Sequence, residues 1–377
     1  MKTYKGTILV AGGLGYIGSN VSVQLIQAGY KVVIADDTSN SLISRLNEIR
    51  AVLQYDSDDR QSEGDSDADF LKFEKVDLTN LEPTLGLFER YRPDVVIALA
   101  GLKSVNESIQ CPIKYHHVNL SIITNLLSGM ERYNCPHLIF SSSSTVYDYQ
   151  EDCPYTENSS IAKIRDGAVD LPSTYAVTKY LIERILFDIA KRLSQLRITI
   201  LRYFNPVGNH HTGYLSDNPK RPSNLFPIIT KSITENTGFQ IYGQDYGTPD
   251  GTCQRDFISV LDVASAHVAV LGHRSEATNI DVFNVGLGYP VSVLQVVREY
   301  ENITGVGLDY TIGDRREGDV AISYCDSTKI RKIGWRPQYT IEDCIRQSYT
   351  SISVTGDKLC CTGKTDYSPS PGGQLSP

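Results

Sequence analysis

Short apolar runs alternate with longer amphipathic stretches from the first residues to about residue 205. Segments 7–11, 31–35, 73–76, 95–99, 138–141 and 197–202 are short and β-rich, most of them near-continuous runs of Val, Ile and Leu, as in strands covered on both faces. Residues around 17–28, 81–91, 115–133 and 174–193 place apolar side chains at helical spacing. Strands and helices in alternation predict an α/β fold, a doubly wound parallel sheet. Segment 55–69, rich in Asp, Ser, Gly and Gln, breaks the rhythm and is expected to be a solvated surface insertion. After about residue 205 the texture changes to Gly, Pro, Asn and Asp-rich loops with shorter elements. A smaller mixed α/β C-terminal substrate lobe is expected over 206–350. Residues 351–377, rich in Ser, Pro and Gly, are expected to form a disordered tail.

Composition narrows the class. A chain of 377 residues with 41% hydrophobic and 21% charged content has the make-up of a soluble globular protein. Its net charge of −8 argues against nucleic acid or an anionic membrane as partner, since both need a concentrated basic face. No apolar run approaches the roughly 20 residues that span a bilayer, and the N-terminus runs directly into a strand pattern rather than a signal peptide. The eight cysteines lack ligand spacing and are expected as reduced thiols, with no metal. These features favour a cytoplasmic location.

The candidate chemistry begins at Gly12-Gly13-Leu14-Gly15-Tyr16-Ile17-Gly18, where the first strand pattern meets the first helix pattern. Glycines there permit a tight turn and close approach of a pyrophosphate to the helix N-terminus. Asp36 closes the second strand pattern, where a carboxylate can accept both hydroxyls of an adenosine ribose. With Asp37 beside it, a 2′-phosphate would be repelled, so NAD is expected rather than NADP. Asp77, closing the third strand, could accept from an adenine amino group or be a solvated strand end. Far downstream, Tyr175 and Lys179 are four apart and share one helix face. An ammonium beside a phenol, with a positively charged nicotinamide ring, lowers the phenol pKa toward that of a usable base. The run Ser141-Ser142-Ser143-Ser144-Thr145 follows a strand and can orient a substrate alcohol.

These residues resemble the extended short-chain dehydrogenase/reductase family and, within it, the UDP-glucose (UDP-galactose) 4-epimerases. The resemblance runs from Ile8 to about Trp335 and includes Ala100-Gly101-Leu102-Lys103, Leu201-Arg202-Tyr203-Phe204-Asn205-Pro206, Asp250-Gly251-Thr252, Arg255-Asp256 and Arg315-Arg316-Glu317-Gly318-Asp319. It implies a Rossmann domain over 1–205, with Tyr175 as acid and base, Lys179 as its partner and Ser143 as the orienting hydroxyl. Gly12, Gly15, Tyr16, Ile17, Gly18, Asp36, Asp37, Asn40, Asp77, Leu78, Leu99, Lys103, Asn119, Tyr175, Lys179 and Tyr203 then fall at NAD positions. Lys103, Ser143, Thr145, Asn205, Asn224, Leu225, Arg255, Arg316, Asp319 and Ser323 fall at UDP-sugar positions. The implied reaction is transient oxidation of the sugar at C4, rotation of the keto sugar on its diphosphate, and return of hydride to the other face. A small residue at Ser323 implies room for an N-acetylhexosamine, and the family usually pairs as a homodimer through helices including 119–132 and 175–193. Leu14 stands where a smaller residue is usual, and its extra bulk in the phosphate turn is expected to weaken NAD binding. Other readings remain open: an epimerase of UDP-uronic acids or pentoses, a 4,6-dehydratase, or a non-catalytic NAD-binding regulator.

Overall fold

A computed structural model describes residues 5–58, 70–149, 153–165, 167–217, 222, 224–275, 277–316 and 318–356. Seven strands form one parallel sheet: β1 (Thr7–Ala11), β2 (Lys31–Asp36), β3 (Leu71–Lys75), β4 (Val95–Ala98), β5 (His137–Ser143), β6 (Arg197–Tyr203) and β7 (Ile280–Val285). They lie in the order β7-β6-β5-β4-β1-β2-β3, with Leu9 opposite Val33 and Val96, and Ser143 opposite Tyr203. The chain order reverses between β1 and β4, which opens a crevice at their C-terminal ends, the place where ligands bind in such sheets.

Helices cover both faces because successive strand residues point to opposite sides. Ile8, Val10, Val32 and Ile34 face α1 (Tyr16–Gln27), α2 (Arg45–Asp58) and the helix Val260–Leu271 in one buried cluster. Leu9, Ala11, Val33 and Ala35 face α3 (Leu81–Tyr91), α4 (Pro112–Tyr133) and α5 (Thr174–Arg192) in the other. Both strand faces are thus dry, which is why these strands read as continuous apolar runs.

The structure departs from the sequence expectation in three places. β7 and the helix Val260–Leu271 follow residue 205 in the chain, yet they return to the first sheet and its core. The helix Ile341–Gly356 runs into the stretch expected as a tail, and its Ser351 accepts a hydrogen bond from Asn209 Nδ2 at 2.9 Å. The expected insertion begins as the end of α2, while 59–69 and 357–377 lie outside the described residues. Among the described residues, no helix is long and apolar enough to cross a membrane.

Candidate active site

The first turn after β1 is built by its glycines. Gly12 has φ +78, and a Cβ there would lie 2.7 Å from the Ala100 nitrogen. A Cβ on Gly18 would overlap the Gly12 carbonyl oxygen, so the helix can sit against the turn only with glycine. Gly15 is the N-cap of α1, with no side-chain cap and no acid in the first turn. The free N–H groups and the positive end of α1 therefore face the crevice, as an anion site requires. Leu14 places its bulk in the core. Its side chain is buried against α1 and α2, and only its N–H serves the turn, donating to Asp36 Oδ2 at 3.1 Å.

Asp36 ends β2, nearly buried, and its other oxygen accepts from Thr38 N at 2.9 Å and Ser41 Oγ at 2.8 Å. The carboxylate is thereby fixed beside the glycine turn, while Asp37 and Asn40 are exposed just beyond it. Asp77 is also exposed, and it accepts from Thr79 N, Thr79 Oγ1 and Asn80 Nδ2. Leu78 packs into the core, and Ile17 and Leu99, partly buried, pack against it. Lys103 is exposed, its Nζ 6.0 Å from the centre of the Tyr16 ring. The Tyr16 hydroxyl donates to the Gly208 carbonyl. Asn119 is more committed: its Oδ1 accepts from Leu102 N at 2.8 Å, and its Nδ2 donates to Leu102 O and Thr178 Oγ1. It fastens the 99–103 loop to α5 at Thr178, between Tyr175 and Lys179.

Tyr175, Lys179 and Ser143 converge where α5 crosses the ends of β5 and β6. Ser173 caps α5 by accepting from Ala176 N at 3.2 Å, which sets the first turn and aims Tyr175 inward. Ser143 Oγ accepts from Thr145 N and, at 3.0 Å, from Thr145 Oγ1. Its own proton remains for Tyr175. Burial pushes the Tyr175 phenol up to about 12, against the Ser143 hydrogen bond, which lowers it. Lys179 Nζ donates to Ser141 O at 2.6 Å and lies 5.8 Å from the centre of the Tyr175 ring. Burial brings its pKa down to about 8, opposed by the Glu183 carboxylate. The ammonium therefore survives at neutral pH.

Tyr203 ends β6 beside Ser143, its hydroxyl 2.7 Å from His267 Nε2. His267 Nδ1 lies 2.9 Å from the Val263 carbonyl, which can only accept. Burial pulls the His267 pKa down to about 4, so the ring is neutral and accepts the Tyr203 proton.

The second half of the site comes from the smaller elements. Strand Asn205–Val207 pairs with Phe257–Ser259, and Asn205 Nδ2 donates to Asp256 O at 3.0 Å. Arg255 lies opposite Ser323 in paired strands and donates to Asp319 Oδ1 at 3.0 Å. Arg316 stacks 4.0 Å from the centre of the Tyr242 ring. Asn224 is the N-cap of helix Leu225–Glu235, with no side-chain cap bond. A half-buried guanidinium and a second on an aromatic face are donors suited to a diphosphate, and an exposed carboxylate is an acceptor suited to a sugar hydroxyl.

Residues 8–286 match the NAD dependent epimerase/dehydratase family. The chain belongs to that family. It is 35% identical over 356 residues to the UDP-glucose 4-epimerase of Bacillus subtilis (strain 168), covering 93% of this chain and 98% of that protein. The UDP-glucose 4-epimerase of Neisseria gonorrhoeae is 33% identical over 350 residues, covering 92% and 97% of the two chains. Among solved structures, the Bifidobacterium longum UDP-glucose 4-epimerase in complex with NAD+ and UDP is 34% identical with a TM-score of 0.83. That likeness covers 94% of this chain and 100% of the other.

The sequence reading missed one part of this epimerase/dehydratase site. Glu183 and Arg202 are fully buried and bonded twice, Nε to Oε1 at 3.0 Å and Nη2 to Oε2 at 2.6 Å. Ser142 Oγ donates to Glu183 Oε1 at 2.5 Å. Charged residues on apolar elements usually read as exposed positions. Here the spacing Tyr175, Lys179, Glu183, one helix turn each, is the clue that sequence could have offered.

Proposed function

We propose that the protein interconverts UDP-galactose and UDP-glucose with a permanently held NAD, Tyr175 being the acid and base. The observation that carries this is the convergence of Ser143, Tyr175 and Lys179 at the sheet end beside a glycine cradle and the Asp36 carboxylate. The curated relatives carry the name of that activity. The cradle fits the cofactor: a Cβ would fill it at Gly12, and the α1 N-terminus lies uncapped beside it. Gly12, Gly15, Tyr16, Ile17 and Gly18 would face its pyrophosphate, Asp36 its adenosine ribose, and Lys103 and Tyr203 its nicotinamide side. When bound, NAD supplies a reversible hydride acceptor and a positive ring near the phenol.

The chain's own residues handle the proton and the position. Tyr175 Oη takes the proton of the sugar 4-hydroxyl and later returns it, while Lys179 holds positive charge nearby. Ser143 Oγ, aligned by Thr145, orients that oxygen. Arg255 and Arg316 grip the diphosphate, Asp319 accepts from the uridine ribose, and Asn205, Asn224 and Leu225 line the nucleotide. Holding the diphosphate firmly leaves the sugar free to turn over, which epimerisation at C4 demands. The outer faces of α4 and α5 carry half-buried Val118, Leu120, Ile185 and Phe187. We place the contact of a homodimer there, checked by a light-scattering mass of two chains.

Purified protein without added NAD should convert UDP-galactose to UDP-glucose, read by chromatography. No conversion, even with NAD supplied, would overturn the reading. Ser323 is small and half-buried beside Arg255, which supports a reading with room for an N-acetyl group. UDP-N-acetylgalactosamine should therefore also turn over; binding without turnover, while UDP-galactose reacts, removes that part.

A further inference from the structure

The end of β5 is read by α5 at three successive turns. Ser143 meets Tyr175, the Ser141 carbonyl accepts from Lys179 Nζ, and Ser142 Oγ donates to Glu183. The first two contacts belong to the reactive pair. The third joins it to a buried chain of polar groups that the reaction as described leaves unused. Arg202, on β6 one residue before Tyr203, grips Glu183 through two nitrogens and stacks 4.8 Å from the centre of the Tyr147 ring. Tyr147 lies two residues past Thr145, stacks on Tyr155 with ring centres 4.9 Å apart, and donates to Asn284 Oδ1 at 2.6 Å. Asn284, on β7, donates through Nδ2 to the Tyr155 carbonyl and through its backbone to Glu157 Oε1. Every element that carries Ser143, Thr145, Tyr175, Lys179 or Tyr203 is thus pinned to Glu183 directly or through Arg202.

We propose that Glu183, locked to Arg202 and Ser142, is a positioning residue for the proton transfer, holding Tyr175 and Ser143 in register on one substrate hydroxyl. It does not touch the substrate. It acts by fixing α5 against β5 and β6 at the turn after Lys179, and its charge also favours the ammonium form of Lys179. A buried ion pair is a poor device for stability alone, because an apolar pair of the same volume serves as well. What the pair adds is a fixed direction: two donors and two acceptors admit one relation between helix and strand. Proton transfer needs that relation, since a small misplacement of the reacting groups costs orders of magnitude in rate.

This assignment rests on the epimerase reading, and the test separates the two. The double substitution Glu183→Leu with Arg202→Met keeps volume and removes both charges, so the fold should survive where either single change would strand a buried charge. We expect a melting temperature and a content of NAD released on denaturation close to wild type. KM for UDP-galactose should change less than about twofold and kcat should fall about tenfold or more. A kcat as close to wild type as the melting temperature would show a packing role only and overturn the assignment. If the double variant does not fold, Ser142→Ala decides, since it removes one hydroxyl and leaves the ion pair intact. A kcat reduced about threefold to tenfold at unchanged KM and melting temperature supports the assignment, and an unchanged kcat overturns it. A wild-type protein that leaves UDP-galactose unconverted overturns the functional reading and this assignment together.

Discussion

Burial drives the pKa values of the pair apart: the Tyr175 phenol goes up to about 12 and the Lys179 ammonium down to about 8. At neutral pH the pair is therefore a neutral phenol beside a cation, ready to act as base once further positive charge arrives. Removing the hydroxyl with Tyr175→Phe should lower kcat by about 10²–10⁴-fold with bound NAD retained, and a near-normal rate would remove Tyr175 as the base. The pH dependence has a definite sign. Lys179 is protonated below its folded value, so kcat should fall as pH rises past about 8. Its contribution to stability runs the other way. A folded pKa below the ordinary lysine value makes the buried charge a cost that is complete below pH 8 and relieved between there and about 10.4. A profile flat to pH 10 would show that its protonation does not control the rate. The Tyr-Lys spacing and the serine run were legible in the sequence. The resemblance singled out Ser143, but the parts of Ser141 and Ser142 were not legible, because the three serines differ only in their three-dimensional partners.

At the scale of elements, the glycine turn is the tightest constraint. Gly12→Ala would force a left-handed φ and a close approach to Ala100, and Gly18→Val would drive a branched side chain into the turn. Overpacking of this kind costs about 1–3 kcal/mol. Each variant should melt lower and release less NAD on denaturation than wild type; full NAD content in both would mean the turn does not cradle the cofactor. Strands β1, β2, β4, β5 and β6 were legible because both their faces are dry, and edge strand β3, with Lys72 and Lys75 exposed, was read over 73–76 rather than Leu71–Lys75. β7 was not legible. Its sequence carries Asp281 and Asn284, and Asn284 is tolerated at zero exposure only because Tyr147 and the Tyr155 carbonyl satisfy its amide. That pairing depends on residues more than a hundred positions away, and no local pattern announces it. Helix α2 was hidden differently, since it ends in the acidic stretch that reads as loop.

At the scale of the whole molecule, the two halves of the site share a core rather than meeting at a hinge. Leu215 is fully buried among Ile8, Leu46 and Ile49, although it follows the strand that carries Asn205. Arg45 Nη2 donates to the Ser216 carbonyl at 2.8 Å, and Asn20 Nδ2 lies 3.4 Å from the Leu215 carbonyl. On the proposed function, a nucleotide gripped by Arg255 and Arg316 would be held against a scaffold continuous with the glycine turn, and its binding should be felt by the whole fold. Ligand that binds only the folded state stabilises it by about 2.7 kcal/mol at a hundred times Kd, which moves the midpoint of a chain this size by several degrees. UDP alone should give that shift, because the proposed grip acts on the diphosphate and ribose rather than on the sugar. Arg255→Ala should lose most of it, measured against the variant's own ligand-free melting temperature, since the guanidinium also donates to the Val320 carbonyl and its removal lowers the baseline. KM for UDP-galactose should rise in the same variant while kcat changes little, the signature of a contact made equally in ground and transition states. A full UDP shift in Arg255→Ala would place the nucleotide elsewhere. A shift lost together with kcat would instead mean that Arg255 holds the sugar's reacting end.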